Sequence, residues 1–98
     1  MLVRFKRAEL ERLEAEAGYT AGHSAAVVTA FRRRMQQIRS APDELTFYAL
    51  KSLHFKKLKG TRAHQRSMRL NNQWRLILEF SEEPSCKVVV VVDIEDYH

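Results

Sequence analysis

Eight lysines and arginines fall between residues 51 and 75, with no aspartate or glutamate among them: Lys51, Lys56, Lys57, Lys59, Arg62, Arg66, Arg69 and Arg75. The formal net charge of the chain is +5, so this stretch carries more than the whole. The remainder, nine cations against twelve carboxylates, sums to −3. Cations this dense repel one another, and folding alone gains nothing from them. A polyanion partner gives them a purpose, and nucleic acid is the commonest polyanion. The competing reading is a solvated face, which is what most charge runs are. Here the run overlaps an alternation of apolar residues, so its cations stand on an ordered surface. The chain then turns acidic and reaches Asp96-Tyr97-His98. An imidazole such as that of His98 changes charge near neutral pH and can therefore move protons.

Elements that could position these groups follow from the apolar spacing. Leu2, Val3 and Phe5 suit a short opening strand. Lys6 to Ala17 predicts a helix, with Leu10, Leu13 and Ala17 three and four apart and Gly18 as its stop. Ser24 is a good N-cap for a second helix, whose buried stripe is Val28, Phe31, Met35 and Ile38 and whose end precedes Pro42. Arg32, Arg33, Arg34 and Arg39 decorate it; three consecutive arginines span nearly a full turn, so at most two share a target. A short helix is expected over Asp43 to Leu50. The second half reads as strands: Ser52 to Leu58, then Gln65 to Leu70, then Trp74 to Phe80, then the valine-rich Lys87 to Ile94. Gly60-Thr61-Arg62 is a turn and Ser81 to Ser85 a loop. Helices followed by an antiparallel sheet predict an α+β fold in one domain over residues 1–98.

One hairpin register carries information. With a two-residue loop of Asn71 and Asn72, Met68 opposes Arg75 and each face mixes apolar and cationic side chains. With a three-residue loop of Asn71, Asn72 and Gln73, Leu70 opposes Trp74, Met68 opposes Leu76, and one face is cleanly apolar. Asn tolerates the left-handed conformation such a loop uses. Arg69 then lies opposite Arg75, which is unfavourable by about a few tenths of a kcal/mol. Two facing arginines on the open side of a sheet make sense with an anion between them.

Composition narrows the class. An apolar fraction of 45% suffices for one small core. Cys86 is the single cysteine, so no internal disulfide forms, and it sits with scattered histidines at no zinc-binding spacing. The first eighteen residues are too charged for a secretory leader, and the longest apolar run, Val88 to Val92, is far too short for a bilayer. A soluble cytoplasmic protein is expected, without membrane attachment, metal or cofactor.

The second half resembles a known family. Leu58-Lys59-Gly60-x-Arg62, Ser67-Met68-Arg69-Leu70-Asn71-x-Gln73-Trp74-Arg75-Leu76 and Glu95-Asp96-Tyr97-His98 look like the HigB toxins of the RelE/ParE toxin–antitoxin superfamily. The match covers residues 50 to 98 well and the helical half in layout only; its ordered combination is the specific part. The resemblance implies two N-terminal helices packed on a curved, mostly antiparallel sheet. It implies a ribosome-dependent endoribonuclease that cuts mRNA in the A site. A HigA-like antitoxin with a helix-turn-helix would hold it inactive, and the complex would bind operator DNA. By position, Asp96, Tyr97 and His98 match the family's terminal active-site residues, Lys59 its Leu-Lys-Gly lysine, and Arg75 the arginine after the tryptophan. Many HigB proteins carry a histidine two residues before that leucine. Lys56 stands there in this chain, and His54 lies two residues upstream, on the same face of a regular strand. Either His54 fills the role after a small shift or Lys56 substitutes.

Cutting a phosphodiester through the 2′-OH requires a base, a charge clamp for the phosphorane and an acid for the leaving 5′-oxygen. Arg75, Arg69, Lys59 and Lys57 suit the clamp, since guanidinium forks match phosphate oxygens. His98 is the best titrating group, Asp96 suits orienting it, and Tyr97 suits stacking or hydroxyl donation. The assignment of base and acid stays open. Lys56, Lys57, Arg62, Arg66, Arg69 and Gln73 are the expected RNA contacts. Two other functions use the same features. A gyrase-inhibiting ParE-like toxin shares the fold without the terminal Asp-Tyr-His pattern, and a non-catalytic RNA- or DNA-binding module needs the basic sheet without a titrating terminus.

Overall fold

The computed structural model describes residues 1–83 and 86–96. Five strands and three α-helices alternate as β1 (Leu2–Phe5), α1 (Ala8–Ala15), α2 (Ala25–Ser40), α3 (Leu45–Ala49), β2 (Lys56–Lys57), β3 (Gln65–Arg69), β4 (Trp74–Glu83) and β5 (Cys86–Asp96). The sheet order is β1-β5-β4-β3-β2. All neighbours are antiparallel except β1 and β5, so the α+β fold carries a mixed sheet rather than an antiparallel one.

Helix α2 forms where the sequence predicts. Ser24 is extended and its hydroxyl accepts the Val27 N–H, and Val28, Phe31, Met35 and Ile38 are buried together with Val27. Helix α1 is shorter than its expected span of Lys6 to Ala17, because Arg7 is still extended and the chain leaves the helix at Glu16. Gly18 is not the stop. Arg32 of α2 donates from Nε to the Leu13 oxygen (2.9 Å) and from Nη2 to the Glu16 oxygen (2.7 Å), so its guanidinium caps the carbonyl end of α1. Arg32 is thus spent on structure. Arg39 forms a two-pronged pair with Glu14 at 2.6 and 2.7 Å, and Arg33 is exposed.

The helices cover one face of the sheet. Leu10, Leu13, Phe31, Met35, Ile38 and Phe47 pack onto Met68, Leu76, Leu78, Val89, Val91 and Ile94, all buried. Each such side chain contributes about 1.5–3 kcal/mol by leaving water. The Leu53 and Phe55 side chains join this core. They force the largest departure from expectation. Lys51–Leu53 is a 3₁₀ turn, His54 is left-handed (φ 45°, ψ 45°), and only Lys56–Lys57 pairs as strand within the expected Ser52–Leu58. β4 runs to Glu83, through the first part of the expected loop, and β5 runs to Asp96, so Asp96 lies in the sheet.

The β3–β4 hairpin has the three-residue loop and the register that the clean apolar face requires: Met68 opposes Leu76 and Arg69 opposes Arg75. No left-handed Asn closes it. The Asn71 side-chain oxygen accepts the N–H groups of Gln73 (2.9 Å) and Trp74 (2.8 Å), an Asx turn that does the same work. Across β4 and β5, Ile77 opposes Asp93 but Leu78 opposes Val91, so Val92 is an extra residue, a β-bulge.

Candidate active site

Arg75 sits on the sheet face away from the helices, alternating with the core residues Trp74 and Leu76. It does not point up into solvent as a matched partner for Arg69. It is only 7% exposed, and its Nε donates to the Ser67 hydroxyl at 2.9 Å. Its Nη2 donates to the main-chain oxygen of His54 at 2.5 Å. The left-handed turn at His54 aims that oxygen, and His is one of the side chains that tolerate it. A guanidinium buried this way is fixed before any ligand arrives. Across the other strand, Glu95 opposes Arg75 in register, so the row Arg69–Arg75–Glu95 ends on a carboxylate.

Arg69 lies beside it. Its Nη1 meets His54 Nε2 at 3.3 Å, and its Nη2 donates to the Asn72 side-chain oxygen. Arginine has no acceptor, so any hydrogen bond in this contact runs from the guanidinium to the ring. From α2, Arg34 donates through Nε to the Arg69 carbonyl oxygen (2.9 Å) and through Nη1 to Gln37 (3.0 Å). Burial, then the neighbouring Arg33 and Arg69 charges, pushes the Arg34 guanidinium down from its ordinary value.

Two clefts meet at Arg75. One, of about 270 Å³, is lined by His54, Lys56, Arg69, Asn71, Asn72 and Arg75, with no carboxylate among the described residues of its wall. The other, of about 190 Å³, has Leu58, Ser67 and Ile77 around Arg75, with Arg62, Glu95 and Asp96 beside them. Arg62 forms a two-pronged pair with Glu95 at 2.7 and 3.0 Å, which raises the Arg62 pKa, and donates to Gln65 at 2.8 Å. Asp96 is exposed and accepts from the Gln73 side-chain nitrogen at 3.1 Å.

The predicted residues are therefore only partly gathered. His54, Lys56, Arg69, Arg75, Arg62, Gln73 and Asp96 surround or adjoin the two clefts. His54 is not on a strand face with Lys56, as a regular strand would place it; it arrives through the turn. Lys57 and Arg66 oppose each other on the alternate face of β2 and β3, and Arg66 pairs with Glu44 at 3.4 Å. Lys59 is exposed just before the turn at Gly60–Arg62. Tyr97 and His98 lie outside the described residues, as does the side chain of Cys86. Ser67, Asn72 and Glu95 belong to the motifs and the hairpin loop but are not among the expected site residues. Register alone places Ser67 diagonal to Arg75, and that was the available signal. Among the described residues, no three His, Cys, Asp or Glu side chains gather as a metal ion would need, and no helix is long and apolar enough to cross a membrane.

Neither a family model nor a curated protein matches this chain. Solved structures do. A YoeB/ParE toxin from Agrobacterium tumefaciens aligns over 100% of both chains with a TM-score of 0.66 at 16% identity. YafQ from E. coli strain BL21(DE3) aligns over 96% of this chain and 90% of its own, with a TM-score of 0.58 at 8% identity. A YafQ mutant from E. coli gives 0.56 at 9% identity over the same shares. The likeness is one of fold, and it is the fold that the RelE/ParE resemblance implies. None of the three is a HigB protein, so that narrower likeness rests on the motif residues.

Proposed function

We propose that this protein is the toxin of a type II toxin–antitoxin system, a ribosome-dependent endoribonuclease that cuts mRNA in the A site. One observation carries the reading: a guanidinium held almost out of solvent by Ser67 and the His54 carbonyl, at the junction of a cleft lined by His54, Lys56 and Arg69 and a second cleft flanked by Asp96. Whole-chain likeness of fold to a YoeB/ParE toxin supports it, and the Asp96-Tyr97-His98 ending favours RNA cleavage over the gyrase-inhibiting alternative.

In this proposal the chemistry starts from the residues around Arg75. The scissile phosphate rests against Arg75 and Arg69, with Lys56 and Lys59 adding positive potential. Because Arg75 is preorganised, little reorganisation opposes its stabilisation of the phosphorane. The 2′-oxygen loses its proton and bonds to phosphorus, the phosphorus–5′-oxygen bond breaks, and the leaving oxygen takes a proton. His54 and His98 are the two imidazoles offered for these transfers, with Tyr97 as stacking or hydroxyl group and Asp96 as orienting carboxylate. His54 Nε2 must part from Arg69 before it can accept a proton. Lys57, Arg62, Arg66 and Gln73 contact flanking RNA; Arg62 and Arg66 must exchange Glu95 and Glu44 for phosphate to do so. No metal or other cofactor is required by this scheme. A HigA-like helix-turn-helix antitoxin, operator DNA bound through that complex, and a cytoplasmic location complete the proposal.

The test is expression of the chain alone in growing bacteria, with mapping of mRNA 5′ ends on ribosomes. Arrest with new ends in A-site codons is expected, relieved by co-expression of the adjacent small protein. DNA breaks with intact mRNA would instead establish the gyrase reading, and unimpaired growth would leave a binding module.

A further inference from the structure

The extra residue in β5 decides what stands beside Arg75. Counting back from the pair Leu78–Val91 without a bulge, Ile77 would oppose Val92, Leu76 would oppose Asp93, and Arg75 would oppose Ile94. A carboxylate would then enter the core and an isoleucine would face the site. With Val92 as the extra residue, Leu76 opposes Ile94, Arg75 opposes Glu95 and Trp74 opposes Asp96. Ile94 is buried and Glu95 and Asp96 flank the cleft. The last described residues of β5 thus depend on one shift in register.

A bulge leaves ladder groups without strand partners. Asp93, the residue after the extra one, turns its side chain back on the strand: its Oδ1 accepts the Ile94 N–H at 2.8 Å. The same oxygen accepts Nη1 of Arg7 at 2.6 Å, and Arg7 also donates to Glu9 at the start of α1. Arg7 reaches Asp93 because β1 runs parallel to β5, with Phe5 opposite Val91. The next residues, Lys6 and Arg7, therefore arrive alongside the bulge, and the Lys6 N–H bonds the Val91 oxygen at 2.9 Å.

We infer that Asp93, held by Arg7, is a positioning residue that locks the β5 bulge and so sets the placement of Glu95 and Asp96 against Arg75. It touches no ligand in this scheme. This rests on the nuclease reading for its activity readout, but its structural consequence stands apart from it.

The experiment compares the parent chain with Asp93→Ala, Asp93→Asn and Arg7→Ala, using single-turnover cleavage of ribosome-bound mRNA and NMR amide exchange. Misplacing reacting groups by an ångström can lower a rate by about a hundredfold. Asp93→Ala should lower the maximal rate by about tenfold to a hundredfold with the half-saturating concentration unchanged. Asp93→Asn keeps the acceptor oxygen and should restore most of the rate; Arg7→Ala should fall between. Exchange at Ile94 and Glu95 should quicken in Asp93→Ala and not at Leu76 or Leu78. A parental rate and parental exchange in folded Asp93→Ala would overturn the inference. If that variant does not fold, Arg7→Ala decides, since Arg7 is exposed and outside the core: parental rate and exchange there overturn it equally. If the parent itself cuts no mRNA, the nuclease reading fails, and the exchange pattern with the Arg75 Nε resonance still decides the positioning role.

Discussion

Arg75 and His54 are joined through the backbone, not through the imidazole: the guanidinium Nη2 bonds the His54 carbonyl oxygen at 2.5 Å while the ring faces Arg69. One residue therefore orients the buried arginine with its main chain and sets its imidazole against Arg69 with its side chain. The left-handed turn makes both possible.

Replacing Arg75 tests the clamp. Arg75→Ala should lower mRNA cleavage by about a hundredfold to a thousandfold, the usual effect of removing a preorganised charge donor. Arg75→Lys should recover little, because an ammonium cannot bond Ser67 and the His54 carbonyl together in fork geometry. Single-turnover rates on ribosome-bound mRNA measure both; parental activity in the alanine variant would refute the phosphate site.

Ser67→Ala asks whether orientation matters apart from charge. The variant keeps the guanidinium but removes the Ser67 hydroxyl that accepts from its Nε. Losing one hydrogen bond from a charged donor should cost about 1.5–3 kcal/mol in stability. Cleavage should fall about tenfold or more, from misalignment of the clamp. Urea unfolding alongside the cleavage assay separates the two effects.

Removing His98 tests the terminal imidazole. Antitoxin binding and unfolding midpoint should be unchanged. Cleavage should drop by about a hundredfold to ten-thousandfold, the range for general acid–base groups. Equal rates with and without His98 would move the proton chemistry to His54, Lys56 or Lys59.

Arg32→Ala is a stability prediction with no role in cleavage. Its guanidinium caps the carbonyl end of α1, and hydrogen bonds from charged donors are worth about 1.5–3 kcal/mol. Thermal unfolding should shift down by that order, with activity per folded molecule retained. A melting curve matching the parent would mean water replaces the cap at no loss.

Glu79 gives a pH signature. The Gln65 hydrogen bond, then Lys6 and His64, holds its carboxyl below the usual 4.5, against the opposing effect of burial. A depressed carboxylate adds stability above its unfolded value and loses it as pH falls through the folded value. Unfolding free energy should therefore decline below the ordinary carboxylate pKa, and Glu79→Gln should flatten that decline. Urea titrations across the acid range measure it; identical slopes in both proteins would remove Glu79 as a cause.

Much of the frame was legible. The Ser24 cap, the stripe Val28-Phe31-Met35-Ile38 and the Arg69–Arg75 register all follow from local spacing, because burial imposes a period that sequence displays. The rest depends on distant partners. His54 turns left-handed because Leu53 and Phe55 on either side are drawn into the core. Arg62 meets Glu95 and Arg66 meets Glu44 across separations that no local pattern records. Five successive valines hide the bulge at Val92, since a run apolar on both faces shows no break in alternation.

The parallel pairing of β1 with β5 joins the second residue of the chain to the eighty-eighth. Contacts of such sequence separation slow folding, because a long loop must close before its strands reward it. During synthesis the first strand has no partner until the last strand has emerged. Arg75 opposes Glu95 in that same strand. The row of side chains around Arg75 is therefore completed only when β5 docks, in the same step that gives β1 its partner.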